Sequence, residues 1–277
     1  MVKKKQTKFS SLDVLPIKEY KDLQPLKRPV NPILPDIQQG SSVIMIGIVK
    51  SGKSVTVSNL ILNPAFYQGL FDTIHIISSS IESDISSRFL LEEPNIIINT
   101  SYNDKIIDDI IASQSEHQRK DMPQIALIAD DILGSGAVGR NSRLMNLFAR
   151  YRHYNIKLLC VLSQTYKGLP PIVRTNATNA IIFWNIWSDM ELGKIDEDLS
   201  SFCGGDGCFT KMYKKYVQKI PYSFLYLNYE QNKVYFKFER VLHDNLAKNN
   251  NDVSENESDL TTDSDSSSDS SDYSDSE

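Results

Sequence analysis

Val43-Ile44-Met45-Ile46-Gly47-Ile48-Val49-Lys50-Ser51-Gly52-Lys53-Ser54 is an apolar run that breaks into G-x-x-x-x-G-K-S. The run from Val43 to Ile48 predicts a buried strand, and the stretch from Lys53 to about Leu62 predicts a helix. The pattern therefore stands where a phosphate-binding P-loop needs it. Gly47 and Gly52 let the backbone turn tightly enough for its N–H groups, Ser51 among them, to face a phosphate. Lys53 supplies a cation for the β and γ phosphates, and the Ser54 hydroxyl can hold Mg²⁺. The helix starting near Lys53 aims the positive end of its dipole at the same anion. A strand-to-helix turn without a ligand is the plainer alternative, and the apolar run before the loop favours a nucleoside triphosphate.

Outward from this loop, strand-like and helix-like stretches alternate. Thr73–Ile77, Asn95–Ile98, Ile125–Ala129, Lys157–Leu162 and Ala180–Trp184 are short apolar runs. Tyr102–Ser113 has helical spacing with Ile106, Ile107, Ile110 and Ile111 on one stripe, and Asn141–Tyr151 predicts a helix with Leu144, Leu147 and Phe148 inward. Continuous apolar strands separated by amphipathic helices predict an α/β fold: a mostly parallel sheet covered by helices on both faces. Tyr222–Asn228 and Lys233–Phe238, joined by Tyr-Glu-Gln-Asn, predict a late β-hairpin.

Two of these strands end in chemistry. Ile128-Ala129-Asp130-Asp131 is an apolar strand delivering two acids at its C-terminal end. Asp130 is placed to hold Mg²⁺ and Asp131 to orient or deprotonate an attacking water, an arrangement that favours hydrolysis. The second strand ends in Ser163-Gln164. If it lies beside the P-loop strand, the Gln164 amide can contact the γ-phosphate or the water; otherwise Gln164 is an ordinary polar strand end.

Charge divides the chain into three parts. The net charge of −5 hides ten acids without Lys or Arg in residues 249–277, and eight Lys/Arg against three acids in residues 1–28. The Ser/Asp tail is too polar to offset its ordering entropy and is expected to be disordered, as a solubilising, regulatory or DNA-mimicking segment. Lys3-Lys4-Lys5 with Lys8 suits a nuclear address, a nucleic-acid arm or a solvated terminus. Pro16, Pro25, Pro29, Pro32 and Pro35 predict an extended strap rather than a helix. The expected organisation is a strap at 1–39, an ATPase domain at 40–248 and the acidic tail at 249–277. No apolar run approaches the roughly 20 residues of a membrane span, and Met1–Ser10 lacks the apolar core of a secretory signal. The three cysteines include Cys203 and Cys208, flanking Gly-Gly-Asp-Gly, with no second Cys or His pair nearby for a zinc site.

The ordered set resembles the genome-packaging ATPases of large cytoplasmic DNA viruses, the poxvirus type within the FtsK/HerA group. It comprises the P-loop Gly47–Ser54, Asp130-Asp131, Arg152-His153-Tyr154-Asn155-Ile156, Ser163-Gln164, Leu169-Pro170 and Arg174-Thr175-Asn176-Ala177. The resemblance spans roughly residues 40–240. It implies a RecA-like P-loop NTPase core, ATP and Mg²⁺ as cofactors, a ring-shaped homo-oligomer, and translocation of double-stranded DNA into a capsid through capsid or portal-like partners. The implied place of action is the viral assembly site in the host cytoplasm, and the virion. It further implies that Lys53 and Ser54 bind phosphate and Mg²⁺, Asp130 the metal and Asp131 the water, with Gln164 as sensor. Members carry an arginine finger that reaches the neighbouring subunit, for which Arg152 is the first candidate and Arg174 the second. Position 50 departs from many P-loops, with Lys in place of Gly.

Two other classes compete. A P-loop phosphotransferase for a small molecule would need an Arg-rich lid, but Arg140, Arg143, Arg150 and Arg152 fall in what reads as a packed helix. A non-enzymatic scaffold would bind ATP only to assemble. A GTPase is disfavoured because Asn232-Lys233-Val234-Tyr235 lacks the Asp of N-K-x-D.

Overall fold

The computed structural model describes residues 25–245, except 133–136, 140, 141 and 187 and the side chains of 85–88. The expectations for the basic start and the acidic tail, and those on Arg140 and Asn141, lie outside the described residues. Along the chain run β1 (Ser41–Ile46), α1 (Lys53–Leu62), β2 (Thr73–Ser78), β3 (Ile96–Asn99), α2 (Asp104–Ser115) and β4 (Ile125–Asp130). There follow α3 (Arg143–Leu147), β5 (Ile156–Ser163), α4 (Pro171–Asn176), β6 (Asn179–Phe183), α5 (Asp189–Leu199) and α6 (Cys208–Tyr216). The chain then forms β7 (Phe224–Asn228), β8 (Lys233–Phe236) and β9 (Arg240–Asp244).

One nine-stranded sheet has the order β3-β2-β4-β5-β1-β6-β7-β8-β9. The strands from β3 to β6 pair in parallel, and β7, β8 and β9 add on antiparallel. Every residue of β1, β5 and β6 is buried, because helices cover both faces; that is why these strands read as unbroken apolar runs. Alternation still sorts them. Ile44, Ile46 and Val161 join α2, α3, α5 and α6 on one face, through residues such as Ile107, Leu144, Ile195 and Tyr213. Val43, Met45 and Leu162 join α1 on the other, with Leu34, Ile37, Tyr67 and Phe71.

Local chemistry sets the helix starts. Asn103 caps α2 by accepting from the Lys105 N–H, Pro171 opens α4 where a missing N–H costs nothing, and Ser188 caps α5 by accepting from the Glu191 N–H.

The structure moves several expected boundaries. β1 begins at Ser41 and stops at Ile46, because the Gly47 N–H already turns to the Ser163 carbonyl (3.1 Å). The expected helix to Tyr151 is shorter: α3 ends at Leu147, and tighter bonds from Phe148 N–H to Met145 O and from Arg150 N–H to Leu147 O lead into a 3-10 turn at Tyr151–Tyr154. That tightening buries Phe148 and Tyr151 together with Leu144 and Leu147. The late hairpin has a third strand, β9, paired to β8 after a turn at Lys237 (φ 50°). Tyr222 precedes β7 rather than opening it, in a left-handed conformation (φ 61°). The described part of the strap is extended and packed on the core: Leu34 and Ile37 are buried, the Tyr67 hydroxyl donates to Pro35 O, and the Lys157 ammonium donates to Gln38 O (2.7 Å). Among the described residues no helix is long and apolar enough to cross a membrane.

Candidate functional site

β4, β5 and β1 are neighbours and parallel, so their C-terminal ends meet at one edge of the sheet. The registers Ile46↔Ser163 and Ala129↔Val161 bring Gly47, Gln164 and the Asp130-Asp131 pair to that edge. There they border a cleft of about 500 Å³, with Lys50, Ser51, Gly52, Lys53 and Ser54 on its floor. This is the crevice that open parallel sheets leave beyond the carboxyl ends of their strands. β5 does lie beside β1, as the sensor reading of Gln164 requires.

The loop's glycines have distinct reasons. A Cβ on Gly47 would stand 2.8 Å from Phe183 Cβ and 2.7 Å from Ser51 Oγ, so only glycine lets the chain pass there. Gly52 caps α1 at φ 107°, a left-handed conformation that suits glycine. Lys50 is also left-handed, at φ 63°, which accounts for glycine at this position in many P-loops. Here an L-residue carries the strain.

Lys53 leaves the first turn of α1 and folds back over the loop, donating to Gly47 O (2.5 Å) and Ile48 O (3.1 Å). Burial pushes its pKa below the ordinary lysine value, against the opposing pull of Asp130 and Asp131. Both acceptors are neutral carbonyls, so an anion offering charge-assisted bonds can compete for the ammonium. Burial raises the Asp130 pKa; the Lys53 charge and a backbone hydrogen bond from Asp131 counteract this, while the charges of Asp131 and Asp84 add to it. Such a carboxylate gains from a nearby cation, and the Ser54 hydroxyl borders the same cleft. The two oxygens fit Mg²⁺, which favours hard oxygen ligands and keeps several waters. Asp131 turns off the end of β4 with φ 54° and is exposed at the cleft, as is Gln164. The Ser51 hydroxyl is buried without a hydrogen-bond partner.

The two arginines stand elsewhere. Arg152 lies before β5, at the opposite edge of the sheet, donating to the Tyr151 hydroxyl (3.0 Å) and to Glu230 (3.1 Å). Its side chain is 45% exposed. Arg174, 14% exposed, is tied to Asp198 and to Leu169 O and lies over the Tyr166 ring (5.1 Å). The cleft lining also includes Ser80 and Asp84, in the segment after β2, and Tyr222, none of them singled out as site residues from sequence. The run Ser78-Ser79-Ser80 at a strand's end was an available signal for the first; nothing local marks Tyr222.

A glycine loop between strand and helix, a lysine over it and a carboxylate pair two strands away define a P-loop NTPase site in a RecA-like sheet. No family profile matches the chain, and no curated protein matches it in sequence. Solved structures do match in fold. B204, the DNA-packaging ATPase from Sulfolobus turreted icosahedral virus, superposes with a TM-score of 0.53 at 17% identity, covering 73% of this chain and 98% of that one. The genome-packaging NTPase B204 from Sulfolobus turreted icosahedral virus 2, solved with AMP, gives 0.52 at 18% identity over 72% and 97%. EssC (ATPases 2 and 3) from Geobacillus thermodenitrificans gives 0.51 at 13% identity over 81% of this chain and 45% of that one. At the level of fold, the chain matches the DNA-packaging ATPase B204.

Proposed function

We propose that this chain hydrolyses ATP to translocate double-stranded DNA, packaging a viral genome into its capsid as a ring-shaped homo-oligomer at an assembly site in the host cytoplasm. The observation that carries the reading is the meeting of the P-loop, the acid pair and Gln164 at the ends of three adjacent parallel strands. The fold shared with B204 supports it.

The residues divide the work by position. The P-loop N–H groups and the start of α1 bind the phosphates, and Lys53 exchanges its two loop carbonyls for phosphate oxygens. Ser54 and Asp130 would hold Mg²⁺, which would supply positive charge against the phosphates. Asp131 orients the attacking water and accepts its proton, and the Gln164 amide senses the γ-phosphate. Arg152 serves the neighbouring subunit: it is nearly half exposed, held by the Glu230 carboxylate and the Tyr151 hydroxyl, and lies at the edge remote from its own cleft. Arg174 would first have to leave Asp198.

Steady-state ATPase with and without double-stranded DNA is the deciding measurement. Lys53→Ala and Asp131→Asn should each abolish Mg²⁺-dependent turnover, the second while retaining ATP binding. Mixing Arg152→Ala with Lys53→Ala subunits should restore part of the activity, because one keeps the P-loop and the other the finger. A monomeric chain whose ATPase ignores both DNA and mixing would instead favour a phosphotransferase.

A further inference from the structure

The direction of a triphosphate across this P-loop follows from the sheet order. Asp130, Asp131 and Gln164 end β4 and β5, on one side of β1, while β6 and β7 lie on the other. A γ-phosphate facing the acids and Gln164 sends the α-phosphate and the nucleoside toward β6 and β7. Tyr222 is the part of the cleft wall contributed by that side. Its Cδ1 lies 3.6 Å from where a Cβ on Gly52 would stand, so the ring sits directly over the loop.

This placement is unfavourable for the free chain on two counts. The residue is 66% exposed, leaving apolar surface in water, and its backbone is left-handed at φ 61°. Core packing does not call for it: Phe224, two residues on, makes the buried contacts with Phe183 and Phe238. The ring is nevertheless held, with Trp184 against it edge-on (centroids 6.2 Å, 64°). In the same segment the Trp184 Nε1 donor and the Asn185 Oδ1 acceptor are both buried without a hydrogen-bond partner. A supported, solvent-exposed aromatic face beside the P-loop suits the flat face of a heteroaromatic ring.

We infer that Tyr222, backed by Trp184, is the platform on which the base of the bound nucleoside triphosphate stacks. The inference rests on the nucleotide reading of the P-loop cleft and adds to it the subsite for the base. Stacking of a base on an aromatic side chain changes affinity by about five- to 150-fold.

Calorimetric binding of Mg²⁺-ATP and of Mg²⁺-tripolyphosphate to the full chain tests it, with Asp131→Asn as the common background to prevent turnover. Tyr222→Ala should weaken ATP by about fivefold or more and leave tripolyphosphate within about twofold, since tripolyphosphate has no base to stack. Tyr222→Gly should do the same while relaxing the left-handed backbone, so a poorly folding alanine variant does not end the test. Tyr222→Phe, which keeps the face, should bind ATP within about twofold of the background protein. Unchanged ATP affinity in the Ala and Gly variants, or an equal loss for ATP and tripolyphosphate, overturns the platform. A background protein that binds neither ligand overturns the nucleotide reading beneath it.

Discussion

Lys50→Gly should make the chain more stable, although it removes a whole side chain. Lys50 sits at φ 63° and is exposed, so the wild-type residue carries backbone strain without burying its side chain. The left-handed conformation costs an L-residue about 1–2 kcal/mol. Glycine escapes that cost but adds about 0.5–1 kcal/mol of unfolded-chain entropy. The net gain is about 0.5–1 kcal/mol, a rise of about 1–4 °C in melting temperature for a body of this size. Lys50→Ala separates backbone from charge, because it keeps a Cβ at the same φ; its stability should stay within about 0.5 kcal/mol of the parent. Urea denaturation of the three full-length proteins, extrapolated linearly, measures the order. A glycine variant no more stable than the alanine variant would refute the strain argument. Lys50 also borders the cleft, and both variants lose its cation. Their affinities for Mg²⁺-tripolyphosphate should therefore fall together, by about two- to fivefold, whichever way stability moves.

The two arginines should separate in stability. Arg174→Ala breaks the contacts to Asp198 and Leu169 O and uncovers the Tyr166 ring, for a loss of about 1–3 kcal/mol in denaturant unfolding, whereas the half-exposed Arg152→Ala should lose less than about 1 kcal/mol. Asp130→Asn should raise the melting temperature at pH 7. Burial lifts the folded-state pKa of Asp130 above its ordinary 3.8, so the ionised form is disfavoured on folding; the resulting deficit is absent below 3.8 and complete above the folded pKa. The neutral amide avoids this deficit, and its advantage should vanish as the pH is lowered through that window; an advantage that persists at pH 3 would contradict burial as the cause.

The P-loop and the acid pair were legible because their chemistry is local. Gly47, Gly52, Lys53 and Ser54 fall within one turn of backbone, and Asp130 follows an apolar run that reads as a buried strand. The parallel sheet was legible for the same reason, since strands covered on both faces lose their polar alternation. What failed to show in the sequence depends on approach between distant segments. Tyr222 reads as the first residue of a strand, and only the pairing of β6 with β7 carries it over Gly52. The strap reads as a linker because prolines remove its helix, yet Leu34 and Ile37 are drawn under the sheet as core. The break after Leu147 was hidden by a helical pattern that also suits tighter turns, since residues 144, 147, 148 and 151 fall inward in either geometry.

Arg152, proposed above as the finger, shows how far sequence proximity misleads. Arg152 and Gln164 flank the same strand, only twelve positions apart. β5 is eight residues of parallel strand, so at about 3.3 Å per residue its first and last residues stand about 23 Å apart. Gln164 emerges at the P-loop edge, while the Arg152 guanidinium is joined through the Tyr151 hydroxyl to Gly40 O, at the start of β1. A side chain of Arg152's length cannot cross that span, so it cannot serve the cleft of its own chain in this fold. If Arg152 acts on ATP at all, the nucleotide belongs to another copy, whose cleft edge must meet the Arg152 edge of this one. Complementation between Arg152→Ala and Lys53→Ala subunits is then required by the geometry, and a monomer that loses activity on Arg152→Ala without loss of stability would contradict it.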